Sequence, residues 1–74
     1  MTSGVVKRSV TIAGHRTSIS LEAEFWTELQ LMAKARGLSV NTLVAELDAA
    51  RGAHNLSSAL RLAVLGSLKS QLKI

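Results

Sequence analysis

The chain contains no cysteine and no proline, and only one phenylalanine and one tryptophan. Without cysteine, neither a disulfide scaffold nor a thiolate metal site can stabilise a domain this small. With two aromatic residues, Phe25 and Trp26, the core has to be aliphatic. The two histidines, His15 and His54, are too few for a domain folded around a metal, so no cofactor is expected. No apolar run approaches the ~18 residues that read as a membrane span, and the N-terminal stretch has no secretory apolar region. The expectation is a soluble, cytoplasmic protein with no membrane partner.

Acidic residues are scarce as well. Glu22, Glu24, Glu28, Glu46 and Asp48 are the only ones, and each falls where a helix-surface residue belongs. His15 sits on an expected turn and His54 in an expected loop. There is no glycine-rich phosphate loop, nucleophile elbow or metal-ligand spacing. Catalysis is therefore not expected.

What is abundant is aliphatic surface: 47% of the 74 residues are hydrophobic. A single core in so short a chain is only marginally stable, and surplus apolar surface points to a dimer. The formal charge is +4 and the pI about 10.4. Lys7, Arg8 and Arg16 gather near the N-terminus, with Lys69 and Lys73 at the other end. That balance suits nucleic acid or another anionic surface, and equally a solvated face.

Met1 to Gly4 has no pattern. Arg16 to Leu21 alternates with a period of two, placing Thr17, Ile19 and Leu21 on one side and Arg16, Ser18 and Ser20 on the other. Such a strand cannot satisfy its own backbone and needs a partner, from this chain or a second copy. Val6 to Ala13 is the candidate within the chain, with Val10 and Ile12 on one face and Ser9 and Thr11 on the other. Gly14-His15 then reads as a type II′ hairpin loop, pairing Ile12 with Thr17, Val10 with Ile19 and Ser9 with Ser20.

Three helical patterns follow. Glu22 to Arg36 carries the apolar stripe Phe25, Trp26, Leu29, Met32 and Ala33 and stops at Gly37. Leu31 falls off that stripe and is expected to be covered by Leu60, Val64 and Leu68. Ser39 is placed to cap a helix from Val40 to about Arg51, with Val40, Leu43, Val44, Leu47 and Ala50 on its buried side. Asn55 or Ser57 caps a third helix reaching about Leu72, with Leu60, Val64, Leu65, Leu68 and Leu72 as its stripe. The fold class is α+β, mostly α: a strand or hairpin followed by three helices. The chain reads as a single domain with a core over 15–51 and an additional C-terminal helix over 56–72.

The order of strand, helix, Gly37 and Ser39-capped helix, with the turn Ala35-Arg36-Gly37-Leu38-Ser39-Val40-Asn41, resembles the ribbon-helix-helix family of DNA-binding proteins of the Arc and MetJ type. Gly14 to Glu22 and Asn55 to Arg61 are similar to a small bacterial branch of that family with a third helix. The resemblance implies an intertwined homodimer in which the Arg16–Leu21 strands of two chains pair antiparallel. It implies a transcription regulator, a repressor for instance, that sets this ribbon in the major groove of double-stranded DNA. The base-contacting residues would be Arg16, Ser18 and Ser20. Phosphate would be held at the start of the second helix by Ser39, Val40 and Asn41, with Lys7 and Arg8 as further phosphate contacts. The first turn of that helix lacks a carboxylate that would repel phosphate; Ser39 is equally explained as a plain cap.

The upstream strand complicates this picture. A hairpin in each chain gives the dimer four strands, and three spacings of ~4.8 Å plus side chains exceed a groove of ~12 Å. Alternatively, residues 1–13 form a basic arm that orders on phosphate. The competing function is a dimeric protein-interaction module, antitoxin-like or structural, that keeps the fold without DNA contact and docks a partner on its third helix.

Overall fold

The computed structural model describes residues 4–53 and 55–72; His54 and Lys73, like Met1 to Ser3, lie outside the described residues. Its first two elements, β1 (Val5–Ile12) and β2 (His15–Glu22), form a two-stranded antiparallel sheet. Three helices follow: α1 (Ala23–Arg36), α2 (Val40–Ala50) and α3 (Leu56–Leu72). The partner that the alternating strand requires is thus supplied by the same chain.

The register departs from the expected one. Ile12 faces His15, Val10 faces Thr17, Arg8 faces Ile19 and Ser9 faces Ser18. The loop is Ala13-Gly14 rather than Gly14-His15, and His15 is exposed in the strand. Both loop residues have positive φ, 52° at Ala13 and 82° at Gly14. A two-residue loop with both centres left-handed is a type I′ turn, whose twist suits the flanking strands, whereas type II′ needs only the first. Moving the loop by one residue shifts the pairing by two, so each side chain keeps its face. Val10, Ile19 and Leu21 are buried, and the alternate residues are exposed.

The strand runs straight into α1. Glu22 ends β2 and occupies the N-cap position with no side-chain bond to the helix. At the other end Gly37 is left-handed (φ 70°), donating its N–H to the Lys34 carbonyl at 3.1 Å while Leu38 donates to Ala33 at 2.8 Å. This left-handed stop frees the chain to turn into α2. Ser39 caps α2, its hydroxyl accepting from Thr42 N–H at 3.1 Å. Asn55 caps α3 in the same way, accepting from Ser58 N–H at 2.8 Å.

One aliphatic core draws on every element: Val10, Ile19, Leu21, Leu29, Ala33, Leu43, Val44, Leu60 and Val64. Phe25, Trp26, Met32, Val40 and Leu47 pack against it while partly exposed. Among the described residues no polar side chain is buried in it. Five positions expected to be covered differ. Ala50 is exposed at the end of α2, and Leu31 is 54% exposed. Leu60 and Val64 point into the core, and α3 turns Ser67 and Gln71 toward Leu31 instead, so these line an open groove with Met32 and Ala35. The C-terminal part of the α3 stripe, Leu65, Leu68 and Leu72, is likewise exposed.

Candidate nucleic-acid interface

The hairpin has one face on the core and one in solvent. In register, the solvent face reads Lys7 opposite Ser20, Ser9 opposite Ser18, and Thr11 opposite Arg16. All six residues are exposed. Arg16, Ser18 and Ser20 therefore share one surface, joined by a second row from β1 that carries a lysine and two hydroxyls. The arginine offers a planar fork of donors, the lysine a point charge, and each hydroxyl both donates and accepts.

Arg8 is placed differently from Lys7. It has the parity of Val10 and Ile12, so it lies on the core side of β1, half-buried. Its guanidinium stands 4.8 Å from the centroid of the Trp26 ring, a cation–π distance. Its Nε is buried without a hydrogen-bond partner. The expectation that grouped Arg8 with Lys7 took neighbours in sequence for neighbours in space; the period-two pattern already separates them.

The start of α2 reaches the turn end of the same hairpin. Asn41 Oδ1 accepts from the Thr11 N–H at 3.5 Å, and Thr11 is the cross-strand partner of Arg16. Arg16 and the first turn of α2, with Ser39, Val40 and Asn41, therefore sit at one end of the molecule. That first turn contains no acidic residue. Ser39 is occupied as a cap, donating in addition to Thr42 Oγ1 at 2.9 Å. The Thr11–Asn41 link has no local sequence signal, because the two residues lie 30 positions apart.

The carboxylate with the parity of this face is Glu22, opposite Val5 at the end away from the turn. Among the described residues the ion pairs are Arg36–Glu46 (2.9 Å), Arg51–Asp48 (2.7 Å) and Arg61–Glu22 (2.9 Å). None of them uses Lys7 or Arg16. Glu22 is at the far end of β2, where the hydrogen bond from Arg61 holds its carboxyl below the ordinary glutamate range; its own backbone N–H and the arginine's charge add to the effect. The next link along the same seam is Ser57, whose hydroxyl donates to the Ser20 carbonyl at 2.9 Å. Together these bonds fasten α3 to the end of β2.

Among the described residues no group of three His, Cys, Asp or Glu side chains is arranged to hold a metal ion. No described helix is long and apolar enough to cross a membrane. No curated protein and no solved structure matches the chain. A family model described as "Ribbon-helix-helix domain" matches residues 5–68, from the first residue of β1 to the last turns of α3. That match spans the hairpin and all three helices, and the chain belongs to the ribbon-helix-helix domain family.

Proposed function

We propose that this protein is a homodimeric DNA-binding regulator of transcription that sets the outer face of its hairpin in the major groove. The observation carrying this reading is the composition of that face: Lys7, Ser9, Thr11, Arg16, Ser18 and Ser20, all exposed, with the one carboxylate of that row, Glu22, at its far end and paired with Arg61. A single hairpin is two strands wide, ~4.8 Å between strands, and a ribbon of that width enters a groove of ~12 Å.

In this reading Arg16 supplies sequence information through a bidentate bond to a guanine edge. Ser18 and Ser20 add hydroxyl contacts that discriminate weakly. Lys7 meets phosphate, and so do the free N–H groups of Val40 and Asn41, at a helix N-terminus without a competing acid. Arg8 is the weakest of the proposed phosphate contacts, because its guanidinium is committed to Trp26. The dimer follows from surplus apolar surface, since seven large aliphatic side chains remain exposed on the described part of one chain.

A second reading, a dimeric interaction module without DNA contact, draws on the exposed leucines of α3. Selection of duplexes from a random pool, followed by titration at several salt concentrations, separates the two. The DNA reading expects an enriched sequence and an affinity that falls steeply with salt, as counterion release requires. No enrichment together with no binding at low salt leaves the interaction module.

A further inference from the structure

We infer that the side chain of Asn41 is a positioning group. It holds the tip of the hairpin at a fixed distance from the start of α2, so that Arg16 and the phosphate-facing N–H groups engage one duplex together. The inference deepens the proposed function and rests on its DNA reading.

The two ends of the hairpin are fastened unequally. Away from the turn, Ser57 donates to the Ser20 carbonyl at 2.9 Å and Arg61 pairs with Glu22 at 2.9 Å. Leu21 is fully buried there as well. Toward the turn the packing thins. Val10 is the last buried residue of β1, Ile12 packs against the core only in part, and Ala13, Gly14 and His15 are exposed. A segment with so few buried contacts opens locally at little cost. Among the described residues one polar link to a helix restrains this tip, the 3.5 Å bond from Thr11 N–H to Asn41 Oδ1.

The donor in that link is one the ladder cannot use. Ile12 and His15 flank a two-residue turn and form a hydrogen-bonded pair. Thr11 and Arg16, the next pair, therefore turn their N–H and C=O groups outward. Thr11 N–H thus lies on the open edge of β1, where only a group beside that edge can reach it. Asn41 stands two residues after the Ser39 cap, in the first turn of α2. Its own backbone N–H is among those a helix start leaves without an intrahelical partner. One residue thereby serves twice: its backbone is offered to phosphate, and its side chain holds the strand position opposite Arg16.

Phosphate contacts fix the register of a protein on its duplex, and base contacts read the sequence. Both have to be made at once, and a binding group works only when held within ~0.5 Å and 10–20° of its productive geometry. Asn41 is exposed and its bond is long, so the link adds little to stability. Its loss should register in placement instead of folding.

Amide exchange and duplex titration of Asn41→Ala and Asn41→Asp test this. In wild type the Thr11 amide should exchange ~5-fold or more slowly than that of Ser9, which points to the same edge with no acceptor from α2. Asn41→Ala should erase that difference and leave the denaturant midpoint unchanged. On a duplex enriched with wild type, it should lower the preference over random duplex by ~10-fold, the scale of one bidentate base contact. Affinity for random duplex and its salt slope should stay as they were. With Arg16 already replaced by alanine, Asn41→Ala should cost no further preference, a coupling that a merely structural loss does not produce. Asn41→Asp keeps an acceptor for Thr11 but sets a negative charge at the phosphate. Slow exchange should persist there, while affinity for both duplexes falls alike.

A Thr11 amide that exchanges as fast as that of Ser9 in wild type overturns the inference, whatever the duplexes show. So does an unchanged preference in Asn41→Ala, or a loss that simply adds to that of Arg16→Ala. Should Asn41→Ala fail to fold by circular dichroism, Asn41→Gln decides by the same preference, which must fall because the oxygen is displaced. A wild type that enriches no duplex and binds none at low salt removes the DNA reading and the positioning role with it; slow Thr11 exchange then marks Asn41 as a structural tie.

Discussion

The two faces of the hairpin divide the work of the molecule between them. The inner face carries Val10, Ile19 and Leu21, closed over by three helices, with the Arg8 guanidinium over the Trp26 ring at the margin. The outer face carries Lys7, Ser9, Thr11, Arg16, Ser18 and Ser20, all exposed to solvent. A one-residue step along either strand crosses from stability to recognition. Substitutions on the inner face should therefore act on folding, and those on the outer face on binding alone.

The largest test of that contrast is the adjacent pair Ser18 and Ile19. Ile19→Ser removes a burial worth ~1.5–3 kcal/mol and leaves a hydroxyl needing a partner, which costs a further ~1–3 kcal/mol. Denaturant titration should show it largely unfolded or severely destabilised. Ser18→Ala should stay within ~0.5 kcal/mol of wild type. Equal losses in both variants would mean that the faces are assigned the wrong way round.

A gain of stability is expected at the turn that sets the faces. Ala13 is the one described non-glycine residue with positive φ. Ala13→Asn creates Asn-Gly, the favoured type I′ pair, and should raise the unfolding midpoint by an amount corresponding to ~1 kcal/mol. A loss instead would show that the loop is not a type I′ turn.

Smaller again is the contrast between Lys7 and Arg8. Arg8→Ala gives up the stack on Trp26 and should destabilise by ~0.5–1 kcal/mol. Lys7→Ala should leave the thermal midpoint alone and lower the salt slope of duplex binding by ~1. The reverse pattern would put Arg8, not Lys7, on the phosphate backbone.

The smallest effect belongs to Glu22, where β2 is fastened to α3. Its carboxyl is held below the ordinary range by Arg61, so the folded state binds that proton less readily than the unfolded chain. The contribution is present above the unfolded value and lost as pH falls through the lower folded one. Glu22→Gln should remove this part of the acid sensitivity, flattening the acid limb of a stability-versus-pH curve. An unchanged acid limb would show that the pair contributes nothing in solution, as exposed pairs often do.

Much of this arrangement was legible in the residues, and for identifiable reasons. Period-two alternation placed Ile19 and Leu21 inside and Arg16 and Ser18 outside, because a face assignment survives a two-residue slip in register. Gly37 and Ser39 marked the turn between α1 and α2 through local chemistry. The missed features are those without a local signal. The turn type depended on Ala13 adopting a left-handed backbone, which alanine disfavours. The covering of Leu31 depended on the rotation of α3, which a stripe as broad as Leu60 to Leu72 leaves open. The contacts of Asn41 with Thr11 and of Arg61 with Glu22 join residues 30 and 39 positions apart, and no periodicity reports such pairs.

The central claim is that the outer face reads DNA, and Arg16 tests it most directly. On a duplex enriched from a random pool, Arg16→Ala should lose ~1–3 kcal/mol of affinity and relax discrimination at one base position. Its denaturant midpoint should match that of wild type, because the side chain is exposed on the solvent face. Affinity and discrimination unchanged by this substitution, with the fold intact, would contradict the account.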